Sequence, residues 1–165
     1  MTITYQTGDA TRPDGEDPRL IAHICNDIGA WGSGFVVALS RRCPTPEKSY
    51  RAWHREGLWE GDPFELGQVQ LASYDTPGVL VANMIAQRGI RHDASAPAAV
   101  DYTALHNCLR HLGALATHMG ASVHMPRIGC GLGGGDWDVV AKIIDDTLTS
   151  RDISVTVYDL PGTSP

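Results

Sequence analysis

Five glycines stand among the twelve residues of PRIGCGLGGGDW, Pro126 to Trp137, and they constrain this chain more than any other feature. The apolar run SVHMP precedes them, and the helical spacing of Trp137, Val140, Ile143, Ile144 and Leu148 follows, so the glycines join a strand to a helix. One or two glycines are enough for a tight turn of that kind. The surplus bares backbone N–H groups beside the positive end of a helix opened by Asp136, an arrangement that attracts a phosphate-bearing ligand. Gly129-Cys130-Gly131-Leu132-Gly133-Gly134 satisfies G-x-G-x-x-G, but a dinucleotide fold would need two βαβαβ halves. Only about thirty residues remain after the motif. A P-loop fails as well, because Gly135 and Asp136 stand where Lys and Ser or Thr are required.

The rest of the chain alternates strand-like and helix-like segments. Strands are predicted over Thr2 to Thr7, Leu20 to Cys25, QVQLAS (68–73), GVLVANMIAQ (78–87), SVHMP (122–126) and ISVTVYDL (153–160). Helices are predicted from Phe35 to the stop at Pro44, from Thr45 to about Gly57, from Val100 to Met119 with Gly120 closing, and after Asp136. Alternation without an internal repeat predicts an α/β fold with helices on both faces of one sheet. Ligands of such folds sit beyond the carboxyl ends of strands. Gly8-Asp9, NDIGAWGSGF and IGCGLGGGDW therefore compete for the site. The middle segment, Gly29 to Phe35, repeats the glycine arrangement before a helix, and two such loops can clamp a diphosphate from both sides.

Composition removes other classes. The 165 residues suit one domain, and 42% apolar residues spread along the chain exclude a disordered protein. No eighteen apolar residues run together and no leader pattern opens the chain, which predicts a protein without membrane association. Cys25, Cys43, Cys108 and Cys130 lack framework or zinc spacing, so reduced thiols in the cytoplasm are expected, with no metal and no cofactor. The net charge is −6 and basic residues do not cluster beyond Arg41-Arg42, so no strong nucleic-acid-binding surface is expected.

Five motifs in order, GDAT, IAHICND with GAWGSGF, VANMIAQ, MPRIGCGLGGGDW and VTVYDL, cover nearly the whole chain. Together they resemble the macrodomain family, in the branch of the terminal ADP-ribose protein glycohydrolases and small bacterial and phage stand-alone macrodomains. The resemblance implies a three-layer α/β/α macrodomain with a central mixed sheet over residues 1–160, a flexible tail over 161–165, and ADP-ribose or ADP-ribosylated macromolecules as partners. It implies that Asp9 accepts from the adenine amino group, with Ala10 beside it and Tyr158 as the neighbouring aromatic. Asp9 equally suits a turn, and Tyr158 equally suits packing. Gly32, Ser33, Gly34 and Phe35 fall on the loop around the distal ribose and diphosphate, and Ile128, Gly129, Cys130, Gly131, Leu132, Gly133 and Gly134 on the second diphosphate loop. Asn26 falls near the distal ribose, whereas His23 in its apolar run suits a core position as well as a site.

The branch uses a lysine nucleophile after the VANMIA strand and an aspartate in the glycine loop, and here those positions hold Gln87 and Gly133. An amide cannot form the lysine's covalent adduct, and the Arg88 guanidinium stays protonated. The expected activity is therefore ADP-ribosyl hydrolysis by a held, metal-independent water, with Asn26, Gln87 and Asp136 as catalytic candidates. Asp136 also suits a helix N-cap. A non-catalytic ADP-ribose reader and an ADP-ribose 1''-phosphate phosphatase are the alternatives.

Overall fold

Strand β2 (Arg19–Asn26) alternates its apolar side chains between two cores, Leu20 and Ala22 on one face and Ile21 and Cys25 on the other. A strand covered on both faces needs that double set, and it occupies an inner position between β7 (Ser122–Met125) and β6 (Val79–Gln87), parallel to both. In the computed structural model, which describes residues 1–162, the six-stranded sheet runs β1-β8-β7-β2-β6-β5. Here β1 is Thr4–Thr7, β5 Val69–Ser73 and β8 Val155–Asp159, and only β5 pairs antiparallel. Residues 163–165 of the expected tail lie outside the described residues.

Helices α1 (Phe35–Arg42) and α2 (Thr45–Glu56) cover one face, through Leu39, Tyr50 and their neighbours. Helices α3 (Tyr102–Met119) and α4 (Trp137–Thr147) cover the other with Leu105, Leu109, Leu112, Val140 and Ile144. The architecture is the expected three-layer α/β/α arrangement around a mixed sheet. Helix α3 starts two residues later than its periodicity predicts, because Val100 bridges to Gln87 and Asp101 stays extended to cap, accepting from the Ala104 N–H at 2.9 Å. Gly120 in the left-handed region ends it. A two-stranded hairpin, β3 (Leu58–Trp59) with β4 (Asp62–Pro63), has no counterpart in the sequence expectation.

The parallel strands β1, β2, β6, β7 and β8 all finish at one edge, so Gly8-Asp9 and the loops after Asn26, Gln87 and Met125 meet there. Among the described residues no helix is long and apolar enough to cross a membrane.

Two buried histidines make the fold sensitive to acid. Desolvation pushes both His23 and His124 from 6.5 down to about 4. An unfolded chain takes up these protons first, so their neutral burial is fully tolerated above pH 6.5 and stability is lost as the pH falls from 6.5 toward 4. Each histidine can remove up to about 1.4 kcal/mol per pH unit in that window. Urea unfolding at pH 5 is expected to give a stability lower than at pH 7 by roughly 2 to 4 kcal/mol. Equal values at the two pH values would contradict the neutral burial of both rings.

Candidate functional site

The site is a cleft between two glycine loops, and the first is the entry to α1. Gly34 precedes the helix at φ 82°, contributes no side-chain cap, and is followed by a first turn without acidic residues. No internal carboxylate therefore caps the first N–H groups of α1. Gly32, Ser33 and Gly34 are exposed, while Phe35 packs against the α1–α2 core.

The second loop leaves β7 and is folded on its own backbone. Gly135 N–H donates to Gly129 O at 2.7 Å and Gly134 N–H to Gly131 O at 3.1 Å, whereas the amides of Gly131, Leu132 and Gly133 make no bond within the described residues. Close approach explains the glycines: a Cβ on Gly135 would lie 2.6 Å from Gly129 O and 2.9 Å from Val100. Ile128 is buried in the α3–α4 core and anchors the loop, Cys130 is half-buried with its thiol pushed up to about 11 by burial, and Leu132 is exposed. The loops wall a cavity of about 410 Å³ that includes His23, Ser33, Gly34, Gln87, Gly131 and Gly133.

A second cavity of about 270 Å³ continues from it, sharing Ser33, Gln87 and Leu132 and adding Asn26, Trp31 and Arg91. Gln87 lines both. Its Nε2 donates to Gly89 O at 3.0 Å, which turns Oε1 toward the glycine loop, 3.2 Å from where a Cβ on Gly133 would stand. The two positions at which this chain departs from the glycohydrolase pattern are therefore neighbours. Arg91 lines this cavity and is a residue that the sequence did not single out. Its guanidinium donates to Ala96 O at 3.0 Å and Ala94 O at 2.6 Å and packs over Gly134. Only the folding back of the 88–99 loop, tied by Ala99 N–H to Gly133 O at 2.9 Å, brings it there. No local pattern around RGIRHD signals that return.

Asn26 lines the second cavity but its side chain is spent on its own loop. Nδ2 donates to Ala30 O at 2.8 Å, and Oδ1 accepts from Ala30 N–H at 3.0 Å, Ile28 N–H at 3.1 Å and the Tyr50 hydroxyl at 2.8 Å. Asp136 is equally engaged: its Oδ1 caps α4 by accepting from Asp138 N–H at 2.9 Å. Asp27 ties the segment after β2 to the segment after β6, accepting from Gly89 N–H at 2.8 Å.

At the far end, Asp9 closes a turn by accepting from Thr11 N–H and its hydroxyl at 2.9 and 2.7 Å, with Ala10 buried beside it. Tyr158 lies under Gly8, 4% exposed, with its hydroxyl 2.8 Å from His124 Nδ1 and accepting from Asp14 N–H at 3.0 Å. It shapes the floor next to Asp9 and offers little surface of its own.

With these loops gathered at one sheet edge, the chain belongs to the Macro domain family, whose profile matches residues 22–144. It is 48% identical to a macrodomain protein of Streptomyces coelicolor, over 95% of this chain and 98% of that one, with a TM-score of 0.82. It is 32% identical over 97% of its length to the mouse chromodomain-helicase-DNA-binding protein 1-like, and spans 18% of that protein. It is 29% identical to the DNA ADP-ribosyl glycohydrolase of Mycobacterium tuberculosis, over 98% of this chain and 43% of that protein. This chain thus matches only a part of the longer curated relatives.

Proposed function

We propose that the protein is an ADP-ribosyl hydrolase that releases ADP-ribose from modified protein where the terminal ribose is joined to a carboxylate. The observation that carries this reading is the makeup of the second cavity: an oriented acceptor, Gln87 Oε1, and a cation, Arg91, line it together, with no free acid. Gly133 supplies no side chain, and the Asp136 carboxylate is held at its helix cap. A nitrogen leaving group would need a proton from such an acid, whereas a carboxylate departs as an anion.

The glycine-loop amides and the first turn of α1 hold the diphosphate. That fixes the distal ribose beside Gln87, whose Oε1 accepts from a water and aims the water oxygen at the anomeric carbon. The bond from that carbon to the carboxylate oxygen breaks through an oxocarbenium-like state, close to the diphosphate charge. The water oxygen becomes the new hydroxyl, its proton passes to solvent, and Arg91 faces the departing carboxylate. The step draws on no metal, and among the described residues no three His, Cys, Asp or Glu side chains are grouped to hold one. The relative named as a DNA ADP-ribosyl glycohydrolase supports an activity on attached ADP-ribose.

The test is release, followed by mass spectrometry, from protein carrying carboxylate-linked ADP-ribose, from ADP-ribosylated DNA, and from ADP-ribose 1''-phosphate, with chelator present. Release from the first alone is the expected result. Release from DNA alone would overturn the linkage, phosphate release alone would make the protein a phosphatase, and binding without release would make it a reader.

A further inference from the structure

His23 is a polar group that the hydrolysis leaves unused. It sits on β2, 2% exposed, on the wall of the cavity between the two glycine loops. Its Nε2 lies 2.6 Å from Asn83 Oδ1 on β6. The orientation of Asn83 is settled by its own donors, because Nδ2 donates to Gln70 Oε1 at 2.9 Å and to Pro46 O at 3.1 Å, and Gln70 in turn donates to Ser49 O at 2.9 Å. Asn83 Oδ1 is thus an acceptor and His23 Nε2 carries the hydrogen. In the neutral ring Nδ1 is then a bare lone pair, and it has no partner although it is buried. Leaving such a group unsatisfied carries its desolvation cost uncompensated, which calls for a reason.

The cavity supplies one. Among the residues that line it, Arg127 is the charged side chain, and its guanidinium is ion-paired through Nε and Nη2 with the Asp159 carboxylate at 2.7 and 2.9 Å. A diphosphate held there would meet backbone amides but no unpaired cation. The groups that face His23 are otherwise uncharged: the Trp31 and Phe35 rings at 5.3 and 5.8 Å, Asn83, and the Cys25 thiol, which burial keeps protonated. We propose that His23 is a ligand-binding residue: when a diphosphate enters, Nδ1 takes a proton from solvent and donates it to a phosphate oxygen, coupling binding to proton uptake. Burial keeps the empty site neutral, and the phosphate charge reverses that balance.

The inference rests on the reading of the ligand as ADP-ribose, and the test separates the two. Calorimetry of ADP-ribose binding at pH 6 in two buffers of very different ionisation enthalpy yields the protons exchanged per ligand bound. Uptake of roughly half to one proton is expected, together with binding that weakens about tenfold per pH unit wherever uptake is complete. In His23→Gln the uptake is expected to vanish. If that variant does not fold, imidazole nitrogen spectra of the wild-type protein with ADP-ribose are expected to show His23 doubly protonated. Binding with no uptake, or uptake retained in His23→Gln, would overturn the proposal while leaving the ligand intact. An absence of any binding would overturn both.

Discussion

Gln87→Ala is expected to slow release of carboxylate-linked ADP-ribose by about 100-fold while weakening ADP-ribose binding by less than about tenfold. The asymmetry follows from where the amide stands. Binding is carried by loop amides, which the substitution leaves untouched, so the ligand loses one polar neighbour among many. Turnover depends on the single acceptor beside Gly133, and alanine leaves the water without an aim. Loss of the Nε2 bond to Gly89 O also loosens the turn that carries Ile90 and Arg91, which adds to the effect on rate. Rates within about threefold of wild type would remove Gln87 from the reaction and move the search to the ligand's own oxygens. The check is single-turnover release alongside calorimetric binding with each variant.

The features legible in the sequence are those in which a short stretch reports its own structure. Period and caps located α3 and α4, because Gly120 and Asp136 act on the helices they touch. The glycine loop was legible for the same reason: free amides and helix entry are local properties. The hairpin of β3 and β4 was not, since two-residue strands are too short to display an alternation. Nor was Arg91, which is twelve or more residues from everything it meets across the cleft and reaches it only when the 88–99 loop folds back. Asn26 shows the limit most plainly. A strand-end Asn suits both a ligand and a turn, and the difference lies in partners such as Tyr50, which α2 brings in from another layer.

That ambiguity gives the second large effect. Asn26→Ala is expected to lower stability by about 2 to 4 kcal/mol and to weaken ADP-ribose binding more than about tenfold, with the two losses appearing together. The side chain joins Ala30 in both directions, takes the Ile28 N–H, and meets the Tyr50 hydroxyl, so alanine strips the loop of the bonds that shape it. Trp31, Gly32 and Ser33 follow directly in the chain, and the α1 amides depend on where that stretch is held. Asn26→Asp keeps the acceptor and loses only the donation to Ala30 O, so an intermediate fall is expected. Urea unfolding and calorimetry on the three proteins decide the role. Parallel losses mark Asn26 as the residue that positions the first glycine loop. A stable Asn26→Ala that binds ADP-ribose normally and fails only in turnover would instead put its amide in contact with the reacting ribose, and would require the loop to hold its shape without it.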